Sequence, residues 1–341
     1  FYFYRQPVVQ KIEPSSGLTS GGTDLELTGT WFDFQPQYGV LPFCQIGNHT
    51  IRAKYITSNR IICKTPASTE TNIPSAVAVS LNGVDFQDTG FFFNYYDAPI
   101  IVDVQPRSGS IEGGTETWLK GLKFTNITGS LKTVKCRFRQ IPGVNATFDE
   151  ESAPTRYIPA YYVDNETMKC ASPTGWVGGD QVKVDLTFNG VDYTDASFPF
   201  SFYNIYGSFP KSGPADAYDD FIRIRGKGFR KDESTILCVL NGTEVAPVSI
   251  KGSQIKCPMV LDTWPSDRYE SVNFHIKIDG STHDFGNFHY YQQPTLEDVA
   301  PLVGPQEGRG AIYFIGRNFR NDFENSALGC RIGNVLGTAT L

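Results

Sequence analysis

A chain of 341 residues with net charge −6, 40% hydrophobic and 13% aromatic residues, 33 Gly and 21 Pro has room for several cores and is punctuated by turns throughout. That mix favours many short strands, and the absence of a basic cluster disfavours nucleic acid as a partner. No apolar run approaches the roughly 18 residues of a membrane helix, and no leader peptide opens the sequence.

In chain order, Phe1-Tyr2-Phe3-Tyr4 comes first and returns as Phe91-Phe92-Phe93-Asn94-Tyr95-Tyr96, Phe198-Pro199-Phe200-Ser201-Phe202-Tyr203 and Phe288-His289-Tyr290-Tyr291. Residues 1–6 are therefore expected to be the closing strand of a preceding repeat. The first repeat, 7–97, opens with a Val8-Val9 edge strand. Then comes Pro14-Ser15-Ser16-Gly17-Leu18-Thr19-Ser20-Gly21-Gly22-Thr23, a turn-rich phrase feeding a Leu25/Leu27 strand that ends at Gly29 and Trp31-Phe32. Cys44 and Ile46, Ile61 to Cys63, and Val77/Val79/Leu81 predict further strands by their period of two. Asn82-Gly83 predicts a type I′ hairpin turn, with positive φ at both central residues.

The second repeat, 98–204, restates the phrase as Pro106 to Thr115, with Val102, Val104, Trp118, Leu119 and Phe124 as expected core and Asn189-Gly190 at the hairpin. A 15-residue insertion between Cys136 and Cys170 carries Asp149-Glu150-Glu151 and predicts an exposed loop. In the third repeat, 205–292, the glycine pair is replaced by Ala217-Tyr218-Asp219-Asp220, and Asp279-Gly280 makes the turn. A partial fourth repeat, 293–341, contains Ile312, Phe314, Gly316, Phe319 and Cys330 and lacks a second cysteine and a closing aromatic strand.

Seven cysteines are phased with these repeats. The first of each pair steps by 92, 102 and 92 residues, and the partners follow at 19, 34 and 19. Metal sites favour short C-x-x-C spacings, which are absent. The expectation is pairing of Cys44 with Cys63, Cys136 with Cys170 and Cys238 with Cys257, and hence an oxidising compartment; buried free thiols are the alternative. Five N-x-[ST] sequons, at Asn48, Asn126, Asn145, Asn165 and Asn241, point to N-linked glycans on a secreted or cell-surface protein. Units of about 90 to 105 residues without helical periodicity predict an all-β chain of tandem immunoglobulin-like sandwiches, and the short, proline-stiffened linkers Tyr96 to Pro99 and Gln292 to Pro294 predict a rod-like array.

Several features together resemble the IPT/TIG domain, the immunoglobulin-like fold of plexins, hepatocyte-growth-factor-type receptors, fibrocystin-like proteins and some transcription factors. They are Pro14 to Thr23, the Leu25/Leu27/Gly29/Phe32 strand, Ile62-Cys63-Lys64-Thr65-Pro66, Leu81-Asn82-Gly83 and the closing Phe/Tyr strand. The resemblance covers the whole chain, and the paired cysteines and sequons match its extracellular branch. It implies no catalytic motif and no cofactor, and it transfers no binding residue.

Nothing in the residues adds chemistry to that. His49, His275, His283 and His289 show no ligand spacing, and His275 is expected to face solvent. Gly21-Gly22 and Gly113-Gly114 precede strands rather than helices, which favours turns over a phosphate cradle. The acidic clusters 149–151 and Asp216 with Asp219-Asp220 are expected to be solvated loops rather than calcium sites. A non-enzymatic structural role follows: a filament, sheath or coat whose partners are other copies of the chain. The alternative is the ectodomain of a receptor or adhesion protein. In a filament, repeat four would be completed by a Phe1–Tyr4-like strand, from downstream or from the next subunit.

Overall fold

The structure, a computed structural model, describes residues 2–71, 73–126, 134–142, 152–215, 220–231, 234–259, 271–308, 310–319 and 329–340. It is all-β, with one short 3-10 turn at Pro36–Tyr38 among the described residues. The chain divides into two compact units, one built essentially from Phe1–Asn204, the other from Ile205–Lys231 and Thr235–Leu341.

In the first unit the same two sheets occur twice. Val8–Glu13, Asp24–Thr30, Arg60–Lys64 and Lys54–Thr57 form one sheet of repeat one, in that spatial order; Ser16–Leu18, Gln87–Tyr96, Pro74–Ser80, Phe43–Ile46 and His49–Arg52 form the other. Repeat two copies this with Ile100–Gln105, Glu116–Leu122, Thr167–Ala171 and Tyr161–Asp164 facing Ser108–Ser110, the start of Phe198–Phe209, Gln181–Thr187, Lys135–Gln140 and Thr155–Pro159. The core fills the space between sheets: Leu25, Leu27, Cys44, Ile61, Cys63, Val77 and Phe93 in repeat one; Val104, Leu119, Cys136, Phe138, Val182, Val184 and Phe200 in repeat two. These inward residues alternate with outward ones, as a pleated strand requires.

The recurring Pro-Ser-Gly phrase is where the first strand changes sheet. Ser16–Leu18 pairs in parallel with the closing strand (Ser16 with Asn94, Leu18 with Tyr96), and Ser108–Ser110 does the same with Ser201 to Tyr203. A cis X-Pro bond stands at the change in the first three repeats, at Pro14, Pro106 and Pro210, and repeat four has one at Pro301. The phrase is thus a structural element that supplies a strand to the second sheet, beyond the turn anticipated from its glycines. Gly21, Gly22, Gly113 and Gly114 all take positive φ and turn the chain back toward the first sheet.

Two expectations about side-chain facing need correction. Val102 is 59% exposed and Trp118 is half-buried, while Ile101, at 2%, is core. A β-bulge between Ile101 and Asp103 shifts the register, as one between Val9 and Lys11 does in repeat one, so simple alternation counted from Val104 fails upstream of it. Trp118 and Leu119 are neighbours on one strand and face opposite sides; Trp118 lies outside, with Lys169 Nζ 5.3 Å from its ring centre. Opposite each bulge stands a glycine. A Cβ on Gly121 would overlap the Ile100 carbonyl oxygen and the Phe124 ring, and one on Gly29 would overlap the Val8 carbonyl oxygen. Gly121→Ala is expected to destabilise repeat two by about 2–3 kcal/mol through forced backbone displacement. Gly252→Ala, in open space, should stay within about 0.5 kcal/mol; thermal unfolding of the two variants side by side checks the contrast.

The hairpin turns also differ from expectation. Gly83 and Gly190 take positive φ, but Asn82 and Asn189 do not, so neither turn is type I′. Each asparagine instead builds an Asx turn. Asn82 Oδ1 accepts the Val84 and Asp85 amides at 3.0 and 2.9 Å, and Asn189 Oδ1 accepts those of Val191 and Asp192 at 3.0 and 2.8 Å. Both asparagines carry an Asp three residues on, which accepts from Nδ2 at 2.8 Å in each case. The type I′ turn does occur in repeat three, where Asp279 and Gly280 both have positive φ and Ile278 pairs with Ser281.

In the second unit, the end of Phe198–Phe209 with Phe221–Lys227, Gln254–Pro258 and Ser249–Lys251 faces Ser212–Pro214, Ser281–Tyr291, Ser271–Ile278, Ile236–Leu240 and Thr243–Val245. Its core includes Ile222, Ile224, Cys238, Ile255, Cys257, Phe274, Ile276 and Phe288. Repeat four contributes two hairpins, Thr295–Ala300 with Tyr313–Arg317 and Gly329–Ile332 with Val335–Thr338. Residues 2–7 form no strand: Tyr2 stacks on Tyr38 at 5.0 Å, and Phe3 is 85% exposed.

Candidate functional site

Three cystine bridges pin the sheets together. Cys44–Cys63, Cys136–Cys170 and Cys238–Cys257 have Cα separations of 6.3, 6.5 and 5.8 Å, and all six residues are buried. In each repeat, one cysteine lies on the inner strand of each sheet, so the bridge crosses the core. Cys330 is unpaired and half-exposed.

Of the sequon asparagines, Asn48, Asn126, Asn165 and Asn241 are exposed. Asn48, Asn165 and Asn241 each stand in a turn, between Phe43–Ile46 and His49–Arg52, Tyr161–Asp164 and Thr167–Ala171, and Ile236–Leu240 and Thr243–Val245. Asn145, the 149–151 cluster, Asp216 and Ala217 to Asp219 lie outside the described residues. His275 is half-exposed on the outer face, with Nδ1 2.8 Å from Asn273 Oδ1. Among the described residues, no three His, Cys, Asp or Glu side chains gather as a metal set. A groove of about 480 Å³ is lined by Phe3 to Arg5, Thr30 to Asp33 and Ser58-Asn59, with a single carboxylate and no histidine or cysteine.

The most elaborate side-chain constellation is the junction between repeats one and two, inside the first unit. Tyr96 ends the closing strand of repeat one but belongs to the core cluster of repeat two, with Leu18 packed against it. Its ring lies 5.5 Å from Phe188, which in turn lies 6.4 Å from Phe124. Burial first, then the Asp192 carboxylate, pushes the Tyr96 phenol far above its ordinary range. Around this apolar contact stands a polar clamp. Asn189, only 4% exposed, donates through Nδ2 to the Ser16 carbonyl at 3.0 Å, and Thr23 Oγ1 donates to Asp192 Oδ2 at 2.7 Å. Asp97, in the linker, accepts from Thr19 Oγ1 at 3.2 Å and faces Lys123 Nζ at 3.6 Å. The hairpin tip of repeat two is thus seated on the sheet-switching phrase of repeat one. The sequence showed both motifs; their meeting was invisible in it, because it joins residues more than 160 positions apart.

A second feature escaped the sequence reading. Asp185 occupies an outward position between Val184 and Leu186, yet it is 1% exposed. Arg137, opposite it across the strands, donates to both carboxylate oxygens at 2.8 and 2.7 Å, and the Arg137 guanidinium lies 3.6 Å from the Tyr193 ring centre. The bidentate pair is covered by an aromatic ring, which a period-two count has no means to show.

No described helix is long and apolar enough to cross a membrane. The IPT/TIG domain profile matches residues 7–95, 99–202 and 204–290. Over 129 residues, 37% of this chain, the sequence is 37% identical to human Fibrocystin-L, and the match spans 3% of that protein's length. Among solved structures, the Plexin A4 extracellular region, domains 1 to 10, is 13% identical over 86% of this chain and 30% of its own, with a TM-score of 0.32. Sidekick-1 immunoglobulin domains 1–5 are 12% identical over 86% of this chain and 62% of that one, with a TM-score of 0.22. With three profile matches covering most of its length, and the same two-sheet sandwich in each, the chain belongs to the IPT/TIG domain family.

Proposed function

We propose that this chain is a segment of a secreted or cell-surface glycoprotein, in which tandem IPT/TIG domains serve as a spacer of fixed geometry rather than as a catalyst. The observation that carries the reading is the junction of repeats one and two. A buried aromatic contact ringed by directional hydrogen bonds holds one domain against the next, which a freely jointed linker would not need. Three buried cystines support an oxidising compartment, and exposed turn asparagines at Asn48, Asn165 and Asn241 support glycan attachment there. The curated relative is so long that a 129-residue match spans 3% of it, which favours covalent continuation of the array over strand exchange between subunits.

Electron microscopy and small-angle scattering of the purified chain test the spacer. Discrete particles of one length, unchanged on dilution, are expected. Ordered filaments would instead support the coat or fibre reading. Free thiols at Cys44 and Cys63 in a non-reducing peptide map would contradict the extracellular assignment.

A further inference from the structure

The Asx-turn tip seated at the junction has a twin. Asn82-Gly83-Val84-Asp85 in repeat one has the same residues and the same internal hydrogen bonds as Asn189-Gly190-Val191-Asp192. Their environments differ. Asn189 is 4% exposed and spends its second Nδ2 hydrogen on Ser16, whereas Asn82 and Asp85 are exposed and Val84 is 77% exposed.

The segment leading into repeat one, though not a strand here, shares several features with its counterpart at the filled junction. Aligning Pro7 with Pro99 matches Tyr4 to Tyr96, Arg5 to Asp97 and Trp31 to Lys123. Trp31 and Lys123 share a left-handed conformation, φ 63 and 62°. The Asp97–Lys123 ion pair has an analogue in the Arg5 guanidinium 5.7 Å from the Trp31 ring centre. Burial, then the Asp85 carboxylate, raises the Tyr4 phenol, as burial and Asp192 raise that of Tyr96.

From this correspondence we infer that the Asn82–Asp85 tip is a docking element for another IPT/TIG domain, joined covalently ahead of Phe1. That domain would present a backbone carbonyl to Asn82 and a threonine hydroxyl to Asp85. The occupant's chemistry is set by the filled junction: a Pro-x-Ser-Gly strand, whose Ser carbonyl is free at its edge, followed by a Gly-Thr that offers a hydroxyl. The repeat-three tip has a type I′ turn at Asp279-Gly280 with Thr282 in the last position. It lacks the Asn/Asp pair, so the device is specific to tips of the first two repeats. The inference rests on the junction geometry and stands whether or not the protein proves extracellular.

The test extends the chain with a copy of residues 7–92 placed directly before Phe1, so that Phe1–Tyr4 takes the place of Phe93–Tyr96 in the added domain. In a Cys330→Ser background, Thr23→Cys in the added copy is combined with Asp85→Cys, and spontaneous crosslinking is read by non-reducing peptide mapping. The control is Thr23→Cys with Asp192→Cys in the natural chain, where the parent side chains are in contact. The expected result is crosslinking within roughly threefold of the control. Closure of the control without closure of the new pair would overturn the inference. So would crosslinking of Thr23→Cys to Asp85→Cys between molecules of the unextended chain, which would make a second copy the occupant. Hydrogen exchange needs no cysteine substitution: the amides of Leu81 to Asp85 should slow at least tenfold in the extended chain, and unchanged rates would likewise overturn the inference.

Discussion

Replacing Phe188 by alanine is expected to lower the stability of repeat two by about 3–5 kcal/mol, the cost of truncating a fully buried phenylalanine. The ring is 1% exposed and touches both Tyr96 and Phe124. Its removal therefore opens a void at the point where two domains share one cluster. Tyr96 loses the aromatic face that buries it, so repeat one should become less stable in the same variant. Phe188→Leu, which installs the residue that repeat one uses as Leu81, is expected to lose roughly half as much, because part of the volume is kept. Denaturant unfolding followed by tryptophan fluorescence and by peptide-resolved hydrogen exchange assigns each loss to its repeat. The exchange data are needed because a multidomain chain need not unfold in one step. A loss confined to repeat two would mean that the junction is decorative.

The second large effect concerns Cys136–Cys170. This bridge closes a separation of 34 residues, against 19 in the other two repeats. Loop-closure entropy assigns it about 3–4 kcal/mol, with the shorter bridges lower by about 0.5 kcal/mol. The paired variant Cys136→Ala with Cys170→Ala avoids leaving a reactive thiol, and both sites are buried, at 0% and 1% exposed. A small cavity cost therefore adds to the lost constraint. The expected outcome is a drop of about 3–5 kcal/mol in repeat two, measured as a lower denaturant midpoint with a slope equal or steeper, since the freed unfolded chain exposes more surface. An undiminished midpoint would mean that the core between the sheets holds without the staple. The 15-residue insertion inside this loop adds little to the cost of closing it, since closure entropy grows only with the logarithm of length.

The parts of this architecture that were legible in the sequence are those governed by local period and by covalent phasing. Leu25/Leu27, Val77/Val79 and Val182/Val184/Leu186 alternate because each strand has one face in the core. The cysteines recur at matching places because each pair spans the two inner strands of a sandwich. The misreadings occur where a local rule is overridden. A bulge at Ile101/Asp103 breaks the period and turns Val102 outward. An Asp three residues beyond Asn82 and Asn189 draws their amides into an Asx turn, where the Asn-Gly pair alone suggests type I′. Asp185 is buried by an arginine from a neighbouring strand and by a tyrosine beyond the end of its own strand. The junction was illegible for the same reason. Phe188 and Asn189 looked like the end of a strand and the start of its turn, and nothing local marks them as the contact with Ser16 and Tyr96.

The contact between Thr23 and Asp192 offers the most direct measurement, because it joins two repeats through side chains alone at 2.7 Å. Thr23→Val, Asp192→Ala and the double variant form a thermodynamic cycle. A domain-locking contact predicts a coupling energy of about 0.5–3 kcal/mol, the range for residues in one hydrogen-bond network. Additive losses, to within about 0.3 kcal/mol, would contradict the locked junction and leave the two repeats as independent beads on a linker.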